Sequence, residues 1–502
     1  MNFVIILTDT QCKWMVGAYG QPVCDTPNLD RLAGEGVRFE RAYTASPICG
    51  PARGALFSGQ YPQCNGAWAN HMAPHRRVPL MGDIFRKLGY RAALTGKWHL
   101  DGTDYAGSGV PGGGFEPDWW YEQANCLAEL PDDIRALYNQ QTTPADLRQA
   151  GFGIEHVYGH RVTDRALDFL GRVDDDPSGK RSAASTTSAS SGQAGSGQAT
   201  GEPSPCEPSN PFVLVVSYDE PHDPWMAPVE YWEKFQPGDI PGRPNYCPPM
   251  DGKSDLQQMQ AQETAAYHDN PTWEQLVAKR LKFFGCNSYI DSEIGRVTAA
   301  VDALHGDDTM IIYTSDHGDQ LGSHGLHDKG PQMYEESTNI PFIVRGPGVP
   351  GGAVSQALLS HLDILPTMLD LAGEEIPESL HGVSQAPVLA DPTAAVREHV
   401  FVSYNLNEPG EQERGGLYPI RCVSNERYKL AVNLFDRDEF YDLEADPYEL
   451  TNLIDSPETA EARDRMHDAL LEEMARTRDP MWNVHWEDRP WRPAKHFFFA
   501  GG

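Results

Sequence analysis

Met1-Asn2-Phe3-Val4-Ile5-Ile6-Leu7-Thr8-Asp9 is an unbroken apolar run that ends on a carboxylate. A run of this length, rich in β-branched residues, reads as a strand buried on both faces, as in a parallel sheet covered by helices. Residues 28–34 and 80–88 have helical spacing, and 91–95 are strand-like. A helix at 161–172, a strand at 212–217, a long amphipathic helix at 276–304 and a buried strand at 309–314 ending near Asp316 follow. Segments 340–345 and 364–372 continue the alternation. This rhythm predicts an α/β protein with a large mixed, mainly parallel sheet flanked by helices. After about residue 391 the pattern changes to short strands at 400–403, 418–423, 428–431 and 439–442, followed by a helix at 457–476. A smaller C-terminal antiparallel α+β domain is expected there, giving domains at 1–390 and 391–502. Residues 174–210, rich in Ser, Gly, Ala, Thr and Pro, read as a low-complexity surface insertion within the first domain.

A chain of 502 residues is long for one ordinary core. Its formal net charge of −32 argues against nucleic acid and anionic membranes as partners. No stretch reaches the roughly 20 apolar residues of a membrane span. The N-terminal run has no basic flank and no small-residue cleavage site, so it reads as a strand and not as a leader. Nine cysteines, at 12, 24, 49, 64, 126, 206, 247, 286 and 422, are scattered and odd in number. A reduced, cytoplasmic setting is the simpler expectation.

Six short stretches carry chemistry. In Ser46-Pro47-Ile48-Cys49-Gly50-Pro51-Ala52-Arg53, Pro51 suits the first turn of a helix, which puts Cys49 at a helix N-terminus where free N–H groups favour an anion. Arg53, four residues on, shares its helix face. Asp9 and Asp316-His317 fall at the carboxyl ends of expected strands, where open α/β sheets bind ligands. Singly, each aspartate would fit a turn or a cap; together with an imidazole they make a divalent-cation site the better reading. Lys97 and His99 in Gly96-Lys97-Trp98-His99 lie on one side of an extended backbone. His222 sits between prolines in Glu220-Pro221-His222-Asp223-Pro224, and Lys329 ends a glycine-rich loop at 321–330. Alone, each of these fits an ordinary loop with a solvated lysine or a satisfied histidine.

The Cys-x-Pro-x-Arg pattern resembles the core signature of the formylglycine-dependent sulfatases, an alkaline-phosphatase-like family. The stretches around Asp9, Lys97, His222, Asp316 and Lys329 follow in that family's order, and Tyr441-Asp442-Leu443 with Asp446-Pro447-Tyr448-Glu449-Leu450 resembles its C-terminal signature. The resemblance runs from Asn2 to about Ile454. It implies hydrolysis of a sulfate ester by a nucleophile made from Cys49 after a maturase oxidises it to formylglycine. It implies Arg53, Lys97 and Lys329 as stabilisers of the sulfuryl oxygens, His99 as general base, and His222 or Lys329 as proton donor to the leaving alcohol. It also implies one divalent metal held by Asp9, Cys49 in its converted form, Asp316 and His317. In an acidic chain, that metal and the basic side chains must invert the field locally.

Two positions depart from the family pattern. Thr10 stands where a second aspartate is usual, and His317 where asparagine is common. Oxygen ligands favour calcium or magnesium; fewer carboxylates and an added imidazole move the preference toward manganese or zinc. Two further readings stay open at this point: a phosphonate or phosphate ester hydrolase of the same superfamily, and a silent binding protein with an unmodified thiol. The expected substrate is a small sulfated molecule, a mono- or disaccharide sulfate. His324 is expected to be structural, and His327 to touch substrate.

Overall fold

The computed structural model describes residues 1–20, 24–173, 211–267, 271–409 and 416–492. The insertion expected at 174–210 lies outside the described residues, as does Cys206.

Seven strands form one sheet in the order β3-β4-β1-β5-β6-β2-β7. They are β1 (Asn2–Thr8), β2 (Val37–Tyr43), β3 (Arg91–Gly96), β4 (Phe212–Ser217), β5 (Thr309–Ser315), β6 (Phe342–Arg345) and β7 (Ala353–Ser360). The opening apolar run is β1, parallel to both its neighbours, with Ile5 opposite Val215 of β4 and Ile312 of β5. Alternate residues of β1 feed two layers, as the two-residue period requires. Phe3, Ile5 and Leu7 pack with Leu56 and Phe57 of α2 (Cys49–Ser58) and with Leu365 and Met368. Val4 and Ile6 pack with Leu29 and Leu32 of α1 (Pro27–Glu35) and with Phe284 and Ile290 of the long helix Trp273–His305. That helix starts where Thr272 accepts the Gln275 N–H, and Gln275 returns the bond in a capping box.

Two strands escape the sequence reading. In β2 (VRFERAY), Arg38 and Glu40 pair with each other on the half-buried face, which interrupts the apolar run. β7 is the sheet edge, and its first residues alternate between exposed and buried. The segment read at 340–345 is a strand, but β6 runs antiparallel to both β5 and β2. This one reversal makes the sheet mixed.

A second, antiparallel sheet has the order β11-β10-β9-β8, from β8 (Val400–Tyr404), β9 (Ile420–Ser424), β10 (Tyr428–Asn433) and β11 (Glu439–Asp442). Helix Ala460–Arg476 covers one face with Met466, Leu470 and Leu471 against Val423, Leu430 and Phe440. The opposite face carries Val402, Tyr404 and Ile420 onto Tyr43 and Ile48 of the large layer. Ile48 is the N-cap of α2, so the small sheet braces the residue just before Cys49.

Candidate active site

The parallel strands β3, β4, β1 and β5 end side by side, and each delivers a charged group at its carboxyl end. β1 supplies Asp9, β3 supplies Lys97, the turn after β4 supplies Asp219, and β5 supplies Asp316 and His317. α2 points its N-terminus at the same spot. Cys49 opens the helix, and the Gly50 N–H beside it is held by Asn70 Oδ1 at 2.9 Å.

Cys49 Sγ lies 3.1 Å from His317 Nε2 and 3.7 Å from Asp9 Oδ1. The ligand atoms of Asp9, Cys49, Asp316 and His317 all lie within 4.8 Å of one another, and all four side chains are buried. Burial, then the neighbouring Asp9, pushes the Asp316 carboxyl up to about 7. For Asp9, burial is outweighed by Lys97, His222 and Arg53, which hold its pKa well below the usual carboxylate range. His317 is pushed up to about 9: burial opposes its charge, but Asp316 and Cys49 prevail. Two carboxylates and a thiol thus recruit a proton on His317 where a cation would serve them better. His317 Nδ1 faces the Gly318 carbonyl at 2.8 Å, which anchors that side of the ring and turns Nε2 toward the cluster. The donor set fits a divalent cation. Thr10 Oγ1 donates to Asp9 Oδ1 at 2.6 Å, and its backbone N–H donates to Asp316 Oδ1. Gln11 is spent on Asn287 and the Thr8 hydroxyl, away from the cluster.

Arg53 is fully buried, and all three of its guanidinium nitrogens donate. It donates to Asp316 Oδ2 at 3.0 Å, Asp9 Oδ2 at 3.1 Å, the Lys97 carbonyl at 2.8 Å and Ser217 Oγ at 2.7 Å. The sequence reading placed this guanidinium on the oxygens of the reacting group. In the structure it bridges the two carboxylates. The reason is geometric: one helical turn below Cys49, the side chain points into the sheet rather than out of it.

Lys97 Nζ lies 2.7 Å from Asp9 Oδ2, 3.0 Å from Asp219 Oδ1 and 3.7 Å from the centre of the Tyr105 ring. His99 sits in the left-handed region with φ 58° and is buried against Tyr105 and His71. Burial pushes its pKa down, opposed in part by the adjacent Cys49, so the imidazole is held neutral. His222 lies between two cis prolines, its Nδ1 2.9 Å from Asp223 Oδ1 and its Nε2 2.7 Å from Lys329 Nζ. Burial opposes charge on both groups, but Asp328, Cys49 and Asp9 outweigh it at Lys329, and Asp9 with the Asp223 hydrogen bond outweighs it at His222, so both are raised. Thr10, Trp225 and Asp328 join His99 at positive φ, so backbone strain gathers around this one site.

Asp9, Cys49, Arg53, Lys97, His99, His222, Asp316, His317 and Lys329, read from the sequence, come together here. His324 stacks on Tyr334 with ring centres 3.7 Å apart and is structural; His327 lines the adjoining cavity. Tyr105 and Asp219, which hold Lys97, were missed. Asp219 sits one residue before the Glu220-Pro221-His222 stretch and was legible there. Tyr105 lies in a Gly- and Asp-rich loop with no pattern to mark it.

Glu220 is buried beneath the same turn. Its Oε1 accepts the Gly159 N–H at 2.8 Å, while Oε2 has no partner among the described residues. Burial, then Asp219, pushes it from 4.5 up to about 8. The folded protein binds this proton more tightly than the unfolded chain, so this group's contribution to stability is complete at low pH and is lost as pH rises toward 8. Glu220→Gln should therefore melt near the parent at pH 5 and above it at pH 9. A constant difference in melting temperature across that range would show that Glu220 is ionised throughout.

The sulfatase family model matches residues 1–184 and 206–374, and a model described as N-sulphoglucosamine sulphohydrolase, C-terminal, matches 322–476. Among solved structures, a phosphonate monoester hydrolase from Silicibacter pomeroyi superposes with a TM-score of 0.74 at 22% identity, covering 95% of this chain and 96% of that one. A structure described as being in complex with its substrate D-glucosamine-2-N,6-O-disulfate superposes with a TM-score of 0.73 at 22% identity, covering 97% and 99%. These likenesses show that the fold, a large mixed sheet with a smaller antiparallel sheet, is shared with those proteins. An uncharacterized sulfatase of Escherichia coli strain K12, YidJ, is 37% identical over 98% of this chain and 90% of its own length. The chain belongs to the sulfatase family and is a sulfuric ester hydrolase. Among the described residues, no helix is long and apolar enough to cross a membrane.

Proposed function

We propose that the protein removes sulfate from a small carbohydrate sulfate ester, with Cys49 acting in its formylglycine form after a maturase has converted it. The observation that carries this reading is the placement of Cys49 at the N-terminus of α2, between the four-residue ligand cluster and the basic groups Lys97 and Lys329. A binding protein has no need for an acid, a base and an electrophile cluster converging on one side chain.

Asp9, Asp316, His317 and the converted Cys49 would hold the cation, which supplies Lewis-acid activation of the nucleophile and neutralises charge on the sulfuryl group. Conversion of Cys49 supplies a geminal diol, one hydroxyl attacking sulfur and the other permitting release of sulfate. The remaining work falls to side chains already in position. Lys97, fixed by Asp9 and Asp219, offers its positive charge to the sulfuryl oxygens. The Lys329–His222 pair protonates the departing alcohol. Neutral His99 takes the proton of the second hydroxyl as sulfate leaves. Arg53 keeps the carboxylates apart and directed at the cation.

His99→Ala should then release about one equivalent of alcohol per enzyme in a rapid burst and stall. A uniformly slow reaction with no burst would place His99 before sulfur transfer instead.

Calcium is the family's usual ion, but His317 in place of an amide keeps manganese, magnesium and zinc in contention; elemental analysis of purified protein decides among them. The reading as a sulfatase is tested with matched esters. The enzyme should turn over 4-nitrophenyl sulfate at least tenfold faster than 4-nitrophenyl phenylphosphonate. A reversed preference would establish the phosphonate hydrolase reading, which the fold equally supports.

A further inference from the structure

Beside Lys329, on the side where the alcohol departs, lies a cavity of about 370 Å³. Lys329, Asp223 and Thr10 form its inner edge, so it is continuous with the reaction site. One wall is Trp225, held at φ 58° with the Arg280 guanidinium 5.1 Å over its ring. Most of the remaining lining is polar.

Gln332 is the unusual member of that lining. Its side chain is only 2% exposed, and just one end of its amide is used: Nε2 donates to Gln260 Oε1 at 2.7 Å. Oε1 has no partner. A buried amide oxygen left without a donor is costly, and an amide whose second half faces a cavity is satisfied by whatever fills it. Gln332 follows Lys329 by three residues, so its placement is tied to the catalytic lysine.

We propose that Gln332 is a specificity-determining residue that accepts a hydrogen bond from a hydroxyl or amine on the alcohol half of the substrate. This rests on the proposed sulfatase reading and extends it. The charges around the cavity define the donor further. Asp223, Glu263, Asp319 and Asp328 outnumber Arg280 and Lys329, which disfavours a second sulfate or carboxylate near Gln332 and favours a neutral or cationic group. Discrimination arises because a substrate without a donor leaves this buried oxygen unsatisfied.

The test compares D-glucosamine 6-sulfate with 4-nitrophenyl sulfate, which has no hydroxyl to offer. In Gln332→Met, kcat/KM for the sugar should fall about tenfold further than for the aryl ester, the worth of one hydrogen bond between uncharged groups. Monodeoxy analogues of the sugar, tried on the wild-type enzyme, provide a measurement that needs no variant. One of them should lose about tenfold, and that same loss should vanish in Gln332→Met. An equal fall for both substrates, or monodeoxy sugars all hydrolysed within twofold of the parent, would overturn the assignment. Wild-type turnover of the aryl sulfate reports separately on the sulfatase reading, so failure of one proposal is distinguishable from failure of the other.

Discussion

Cys49→Ala should lose turnover by on the order of 10⁵-fold or more, the scale seen when a covalent nucleophile is removed from a group of residues that act together. The side chain is small and sits at the first position of α2, so the helix and its Asn70 contact should survive. Melting temperature should therefore stay close to the parent while activity disappears. Mass spectrometry of the tryptic peptide spanning residues 42–53 gives the matching positive result: in active protein this peptide has lost its sulfur and carries an aldehyde. An intact thiol in fully active enzyme, or full activity in the alanine variant, would end the formylglycine reading. Cys49→Ser should be almost as inactive, unless the host's maturase accepts serine.

The second large effect concerns Arg53. Its guanidinium joins Asp9, Asp316, a carbonyl and Ser217 at full burial, so no solvent can take its place. Removing one partner of a buried ion network leaves an uncompensated charge, so Arg53→Met should destabilise the fold by about 3–5 kcal/mol. Arg53→Lys keeps the charge but loses the planar fork, and an ammonium with three donors cannot replace all four of its bonds. That variant should fold, bind its metal about 10–100-fold more weakly and lose kcat in proportion. Elemental analysis and denaturant melts check both parts. Unchanged kcat and metal content in Arg53→Lys would show that Asp9 and Asp316 are positioned by the backbone alone.

The central strands were legible because β1, β4 and β5 are buried on both faces and so are written almost wholly in apolar residues. β2 and β7 were not, because one face of each meets partly hydrated surroundings and admits Arg38, Glu40 and Gln356. The direction of β6 was invisible for a different reason. Orientation depends on how the connections between strands are routed, and a four-residue strand carries no mark of it. At the site, residue types at fixed spacing identified the acids, the base and the lysines. They could not identify partners that converge from separate loops. Tyr105 holds Lys97 from a loop more than a hundred residues from Asp219, and the Gln332 amide becomes noticeable only once Gln260 is seen to use half of it. The partners of Arg53 were hidden on the same ground. Sharing a helix face with Cys49 says that two side chains are neighbours, but not whether the longer one reaches outward or into the sheet.

Cys49 is only 1% exposed, with Lys97 and Lys329 close by and strands β1 and β5 behind it. An enzyme that must seize this residue and the backbone around it cannot do so once Phe39 and Leu359 have joined their strands to the centre of the sheet. β5 and β7 lie more than 250 residues further along the chain, so during synthesis the segment around Cys49 emerges long before the elements that bury it. The topology thus sets a clock. The conversion of this side chain that the proposed function requires would then belong to the interval between its leaving the ribosome and the arrival of β5, and material that folded first would be committed to its thiol for as long as it stayed folded.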